Sequence, residues 1–381
     1  MSEKICSHHI GGRGGNRSFP ILNSFESDFV NILYDADNSC LEQIANLNKY
    51  NTSELRVIPA CVGGKNGHAK FNINYDPSTS SLRAINPKTA SWYFYFRKYQ
   101  YDYISKETCQ PVKKLRVKVI TLDTLLKDDH TLVPPDILSI DTQGTEYEIL
   151  EGGVETLKED TLAVIAEVWF HEIYKGQKLF GDVSALLHTH GFVFVKFTKD
   201  FFDFSPYRYP IGLRGDGLQS STDALFLKGI DVVKRVRDLS KRFIMLEKLA
   251  FIALTFNQFE FALECMRESS KLKAKKGVPQ YVYQDFLRKF FDLSKRVPKK
   301  YPPTFMEKFT SSESSARFHK DTKIKHVGLH GYGLDVVNTI PDSDIEKLFR
   351  KFNLSSQADL LKLRRCQGMS ALGSGHGVII K

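Results

Sequence analysis

A chain of 381 residues exceeds what one hydrophobic core usually organises, and its 42% hydrophobic, 26% charged composition is ordinary for a soluble globular protein, so two domains are expected. No apolar run approaches the roughly 18 residues of a membrane span, and Met1-Ser-Glu-Lys-Ile-Cys6 lacks the apolar core of a signal peptide, which points to a cytoplasmic protein without a membrane span. The net charge of +10 is uneven: residues 231–381 hold 29 Lys+Arg against 16 Asp+Glu, whereas residues 1–230 hold 25 against 28.

Residues 1–230 alternate short apolar runs with helical patterns, which predicts a mostly parallel sheet flanked by helices. Ile5–Ile10 reads as the first strand and ends in the glycine cluster Gly11-Gly-Arg-Gly-Gly15, after which a short helix should follow. A second strand, Phe29–Tyr34, ends in Asp35-Ala-Asp37. A helix near Ser39–Asn48 leads to a third strand, Leu55–Val62, in which Pro59 lacks a ladder donor and favours an edge position. Strands at His68–Tyr75 and Lys114–Ile120 bracket an aromatic-rich insertion, Trp92–Tyr103. Asp136–Ile140 is a buried strand, followed by a helix from Gly144 to about Leu157. A strand over Leu162–Phe170 comes next, then a helix over Leu179–His190 that Gly191 ends. Phe192–Phe197 and Ala224–Leu227 close the pattern as an antiparallel pair.

From about Val232 only helical patterns remain. Phe243–Phe256 and Phe259–Leu272 suggest a helical hairpin, and a linker is expected near 297–315. Domains of 1–230 and 231–381 follow. The second is basic and mainly helical, and would suit an acidic partner or simply present a solvated basic surface. The six cysteines are scattered, with no C-x-x-C pair and no cluster with histidine, so free thiols are expected and no metal ligands are singled out.

Three places carry chemistry. At Gly11, Gly12 and Gly14 the missing Cβ atoms would let backbone and cofactor approach closely at the end of strand one, although a surface turn makes the same pattern. Asp35, at the end of strand two, is placed to accept hydrogen bonds from ribose hydroxyls; the alternative is a helix N-cap before Leu41, a role that suits Asp37. Asp141 ends a buried strand beside the end of strand one, where the strand order reverses. There it can meet a cofactor's ammonium group, take a hydroxyl proton, help bind a cation or cap the helix that follows.

Glu167 falls inside an apolar strand, where an unpaired carboxylate would be costly, so it needs a partner. His171 and Glu172 follow at that strand's carboxyl end, where a general base for a hydroxyl would sit, though a lone histidine often serves structure alone. Glu146 lies in a helix's first turn, which favours a carboxylate whatever else it does.

The run Ser139-Ile-Asp-Thr-Gln-Gly-Thr-Glu-Tyr-Glu-Ile-Leu-Glu-Gly-Gly153 resembles the hallmark of the FkbM methyltransferases, K-I-D-x-E/Q-G-x-E-x-x-x-L-x-G. Ile120-Thr-Leu-Asp-Thr-Leu125, Pro135-Asp-Ile-Leu138, Glu167-Val-Trp-Phe170, Tyr174-Lys-Gly-Gln177, Ala60-Cys-Val-Gly-Gly64 and Ser80-Ser-Leu82 agree with it, and the likeness covers roughly residues 5–228. The resemblance implies an α/β fold: a doubly wound, mostly parallel, seven-stranded, Rossmann-like methyltransferase sheet, here with a C-terminal α-helical extension. It also implies S-adenosyl-L-methionine as methyl donor and O-methyl transfer to a hydroxyl of a sugar, glycolipid or related metabolite. On that reading Gly11, Gly12, Gly14, Asp35, Asp141 and Gln143 hold the cofactor, and Asp141 with His171 or Glu172 serves catalysis.

The first motif departs from the family's V-D-x-G-A-N-x-G, because His9 replaces the acid and Arg13 the asparagine. Asp35 takes the place of the glutamate in F-E-P-N. The departure motivates a second reading, a methyltransferase fold without catalysis whose basic C-terminal region engages an acidic partner. A nicotinamide fingerprint is set aside because Arg17 stands where the last glycine of G-x-G-x-x-G would fall. No tetrapeptide such as N-P-P-Y speaks for nucleic-acid methylation.

Overall fold

Every residue of β1 (Ile5–Ile10) is buried, including the polar Ser7, His8 and His9. A strand buried on both faces belongs in the middle of a parallel sheet, and the computed structural model places it there. The structure describes residues 3–11, 19–36, 54–95, 103–199, 202–209, 217–272, 280–296 and 343–357.

After β1 come β2 (Phe29–Asp35), β3 (Glu54–Pro59), β4 (Cys61–Val62), β5 (Gly67–Asn74), β6 (Tyr93–Tyr95) and β7 (Tyr103–Ile104). A single helical turn, α1 (Ser105–Thr108), leads to β8 (Pro111–Ile120), α2 (Leu122–Asp128) and β9 (Ile137–Ile140). Then follow α3 (Glu146–Glu151), α4 (Val154–Glu159), β10 (Ala163–Trp169), α5 (Phe180–Thr189), β11 (Phe192–Phe197), β12 (Phe202–Ser205) and β13 (Leu218–Lys228). The helices α6 (Ile230–Val233), α7 (Leu239–Thr255) and α8 (Phe259–Ser270) complete the first of two compact units, Met1–Tyr281.

The main sheet runs β3-β2-β1-β9-β10-β13, with β1, β2, β3, β9 and β10 parallel and β13 antiparallel to β10. The far edge of β13 is shared: β11 pairs with its carboxyl half, and β12 with its amino half. Seven strands were expected, but the described sheet has ten. The aromatic insertion supplies β6 and β7, and β12 ties them to β13.

Two other expectations are corrected in detail. Pro59 ends β3, which lies at the sheet edge as its missing donor requires. Cys61–Val62 then leave to join β8 and β5 in a separate three-stranded sheet, so the expected third strand is two. The helix expected from Gly144 to Leu157 also divides, into α3 and α4. At the break, a Cβ on Gly152 would lie 2.6 Å from the Gly63 carbonyl oxygen, so only glycine lets the helix end settle against the turn after β4. The helix expected near Ser39–Asn48 and the linker near 297–315 lie outside the described residues.

One face of the sheet packs on α2 to α5 through Leu122, Ile149, Leu150, Leu157, Val183 and Leu187. The helix α7 is buried without interruption from Met245 to Thr255. Its Phe251 ring meets Phe25 at 4.8 Å, and its Lys248 Nζ reaches Asp136 Oδ2 at 2.7 Å with both groups buried. The helical hairpin therefore folds with the sheet, and position 230, where the sequence suggested a boundary, falls inside the first unit. In the second unit, Val282–Lys381, α9 (Val282–Arg296) and α10 (Ser343–Lys351) pack through Phe286 and Phe290 against Phe349. Among the described residues no helix is long and apolar enough to cross a membrane. Cys6, Cys61, Cys109 and Cys265 are buried and unbridged.

Candidate functional site

The carboxyl ends of β1, β2 and β9 are locked together by backbone bonds. Gly11 N–H donates to the Tyr34 carbonyl at 3.0 Å, and Asp141 N–H donates to the Ile10 carbonyl at 2.9 Å. Gly11 has φ +92, and a Cβ there would lie 1.8 Å from the Asp141 carbonyl oxygen. No other residue fits without moving β9. The connection from β1 runs outward to β2, and that from β9 runs the other way to β10, so this junction is the switch point at which doubly wound sheets bind ligands.

A crevice that is partly open to solvent lies at the junction. Gly11, Asp35, Asp141, Thr142 and Gln143 line one side; Ala60, Cys61, Val62 and Phe71 give it an apolar wall. Asp35 is buried at the end of β2. Burial and the Asp35 carboxylate together push the Cys61 thiol up to about 11, so the thiol stays neutral beside the acid. Tyr34, also in the lining, is fixed from behind: its hydroxyl meets His8 Nδ1 at 3.0 Å, while His8 Nε2 meets the Val133 carbonyl at 2.9 Å. Burial drives the His8 pKa down to about 3, so the ring is neutral, donates through Nε2 and accepts from Tyr34.

Asp141 belongs to a dense acid network. Gln143 Nε2 donates to Asp141 Oδ1 at 2.8 Å and to Glu167 Oε2 at 3.0 Å, and Trp169 Nε1 donates to the same Glu167 oxygen at 3.1 Å. Burial raises both acids, Glu167 well above the carboxylate range because Asp141 and Glu146 add negative charge nearby. Both therefore hold a proton more tightly than an exposed carboxyl does, Glu167 the more so. Glu146 accepts from the backbone N–H groups of Thr142 and Gly144, both at 3.0 Å, and burial still pushes it up to about 7. Asp223, opposite Glu167 in the β10–β13 pairing, takes an ion pair from Lys199 at 2.7 Å. Among the described residues no three His, Cys, Asp or Glu side chains are arranged to hold a metal ion.

Gln143 is held at φ +60, a left-handed conformation that costs a non-glycine residue about 1 kcal/mol or more. Ser81 Oγ donates to its carbonyl at 2.7 Å, and the Tyr174 hydroxyl donates to its side-chain oxygen at 3.0 Å. Surrounding bonds thus hold the strain and aim the amide at both carboxylates.

Of the residues singled out in sequence, Gly11, Asp35, Asp141 and Gln143 come together here, while Gly12, Gly14, Arg13 and Asp37 lie outside the described residues. His171 and Glu172 do not line the crevice. His171 packs edge-on against Trp92 and Phe204, and the exposed Glu172 accepts from Gly176 N–H at 2.5 Å, closing a turn. His9 Nδ1 meets Ser139 Oγ at 2.8 Å between β1 and β9. Asp223 had no local signal, because the β10–β13 register brings it to the site across the chain, and Lys199 meets it from the segment after β11. Tyr174 and Ser81 sit in segments that sequence had noted, but nothing there showed that both reach Gln143.

The methyltransferase FkbM domain matches residues 16–194, which leaves β1 and Gly11 ahead of the match and β13 beyond it. No curated protein matches the chain.

Proposed function

With an FkbM methyltransferase domain over residues 16–194 as the premise, we propose that the protein is an S-adenosylmethionine-dependent O-methyltransferase acting on a hydroxyl of a sugar, glycolipid or related metabolite. The single observation that carries the reading is the backbone lock of Gly11 onto Asp141 at the floor of the crevice, beside Asp35. The residues fit the cofactor. Gly11 leaves the strand end bare for close approach, Asp35 stands where a ribose diol would be bound, and the wall of Ala60 and Val62 suits an apolar ring face. When bound, S-adenosylmethionine supplies an electrophilic methyl group on a cationic sulfur.

The protein's own part is alignment and charge. Asp141 offers its carboxyl group to a cationic ligand, and Gln143 fixes its direction. A hydroxyl acceptor must also lose its proton, and Asp141 lines the crevice with a pKa that burial raises, within the role of a general base. His9, engaged with Ser139 between two strands, stands outside the lining, so its replacement of the family's acid leaves the crevice open. That favours catalysis over the reading of an inert binding fold.

Titration calorimetry with S-adenosylmethionine on the purified full chain tests the reading. Micromolar binding that weakens at least about tenfold in Asp35→Ala, the loss of roughly one charged hydrogen bond, is the expected result. Absence of any heat of binding, together with no methyl transfer to a panel of sugar and lipid-linked acceptors, would end it.

A further inference from the structure

Residues 1–230 carry more acids than bases, yet one surface of that part is cationic throughout. In the small sheet, β5 and β8 pair antiparallel with His68 opposite Lys118, Lys70 opposite Arg116 and Asn72 opposite Lys114. Alternate residues of a strand share a face, so Lys70, Lys114, Arg116 and Lys118 stand together with His68, and all five are exposed. The opposite face buries Phe71 and Val119. Neither strand contains a carboxylate, and none of these cations makes an ion pair among the described residues. Like charges directly opposite one another destabilise a sheet. The Lys70–Arg116 pairing works against the fold, and an anion laid over the face would relieve it.

The same strand pair has an apolar end. Tyr75 and Val112 are 74% and 63% exposed, and the Tyr75 N–H bond to the Gln110 carbonyl at 2.9 Å holds the two strands together there. Immediately beyond Tyr75 the chain supplies Pro77, Ser78 and Ser80 to the crevice lining. The small sheet thus reaches the crevice through Phe71 on its buried face and through the segment after Tyr75, while its cationic face stays open to solvent.

We propose that this face docks on an anionic lipid bilayer and so holds the protein at the surface where lipid-linked hydroxyls lie. The inference deepens the methyl-transfer reading and rests on it for what the crevice does. A strand array sets cations about 6.7 Å apart along the chain and about 4.8 Å across it, a flat lattice suited to a charged plane. An exposed tyrosine and valine at one end suit the interfacial layer. Single-stranded nucleic acid is recognised by aromatic rings interleaved with the cations, and no Phe, Tyr or Trp ring stands among these.

The test uses the full chain with vesicles of phosphatidylcholine alone or with added phosphatidylserine, and with single-stranded and duplex oligonucleotides. Binding should require phosphatidylserine, weaken as salt rises, and fall roughly a hundredfold in Lys114→Gln/Arg116→Gln/Lys118→Gln, on the scale of three cations near a charged surface. A second variant on the other strand, His68→Gln/Lys70→Gln, should weaken binding without touching β8. Equal binding to neutral vesicles, or unchanged affinity in both variants, overturns the proposal. Tighter binding to an oligonucleotide than to the anionic vesicles also overturns it and assigns the face to nucleic acid. Calorimetry with S-adenosylmethionine on the same preparations separates the two ideas. Cofactor binding without vesicle binding sinks only this one, and vesicle binding without cofactor binding sinks only the methyl-transfer reading.

Discussion

The two acids at the ends of β9 are neutralised in opposite ways. At the amino end, buried Asp136 accepts Lys248 Nζ and Cys6 N–H, both at 2.7 Å. At the carboxyl end, Asp141 faces Glu167 through the shared Gln143 amide, and its network holds more acids than cations. The first acid has its countercharge built in and can only hold the fold. The second shares its amide donor with another buried acid, so it can respond to a cationic ligand. Position at the end of one strand thus separates a structural carboxylate from a chemical one, and the separation can be tested.

The largest effect is expected at the amino end. Lys248→Met leaves Asp136 buried without its cation, which should cost about 3–5 kcal/mol. Asp136→Asn added to it should recover much of that loss, since neither partner is then charged. Both tryptophans of the chain, Trp92 and Trp169, lie in the first unit, so urea unfolding followed by their fluorescence reports that unit alone. A loss under 1 kcal/mol for Lys248→Met would show that the pair is not what clamps α7 to the sheet.

The next effect concerns the acid network itself. Glu146 has a folded pKa of about 7 against 4.5 for its ordinary value. The folded state therefore binds the proton more tightly, and the stability this adds is full below pH 4.5 and is lost as pH rises through 7. Over that window the loss should reach at most ~3 kcal/mol. His8, held neutral with a pKa near 3, pulls the other way below pH 6.5, so the useful quantity is the difference between wild type and Glu146→Gln. Wild type should lose ground to the variant steadily between pH 4.5 and 7.5. A constant difference would mean that Glu146 titrates normally.

Much of this contrast was legible in the sequence. Apolar runs that end in acids marked β2 and β9 and pointed to Asp35 and Asp141, because a buried strand leaves its first polar side chain at the sheet's edge; β1 was marked by the glycine cluster that ends it. Glu167 was flagged by the cost of a carboxylate in an apolar strand, and the structure supplies its donors in Gln143 and Trp169. What sequence could not give are the partners fixed by register: Asp223 beside Glu167, Lys199 on Asp223, and Lys248 on Asp136. The extra strands β6, β7 and β12 also escaped. They are two to four residues long, too short for an alternating pattern to declare itself. His171 and Glu172 were read from their place after β10, but the chain turns there and directs the ring into an aromatic cluster.

At the carboxyl end, Asp141→Asn separates ligand binding from folding. It removes a charge that burial penalises, so urea stability should hold or rise. Affinity for S-adenosylmethionine or the rate of methyl transfer should fall roughly ten- to a hundredfold, as for loss of one charge-assisted hydrogen bond at about 1.5–3 kcal/mol. Lower stability with unchanged binding would make Asp141 another Asp136.

The smallest effect belongs to an acid that the family resemblance included without a role. Asp123 stands in α2, yet its carboxylate reaches the start of α4, accepting Glu155 N–H and Thr156 N–H at 2.9 Å and Thr156 Oγ at 2.6 Å. It therefore caps a helix that is not its own, satisfying N–H groups that α4 leaves unpaired because its N-cap is Gly153, which has no side chain. The glycine cannot be replaced by a capping residue without cost, since a Cβ there would crowd Leu122 Cδ2 at 3.2 Å. Asp123→Ala should accordingly cost about 0.5–2 kcal/mol in urea unfolding, and Asp123→Asn less, because an amide oxygen still accepts. Cofactor affinity should not change in either variant, since the carboxylate serves the helix behind the crevice rather than its lining. An affinity loss as large as that of Asp141→Asn would show that this face of the sheet is coupled to the site.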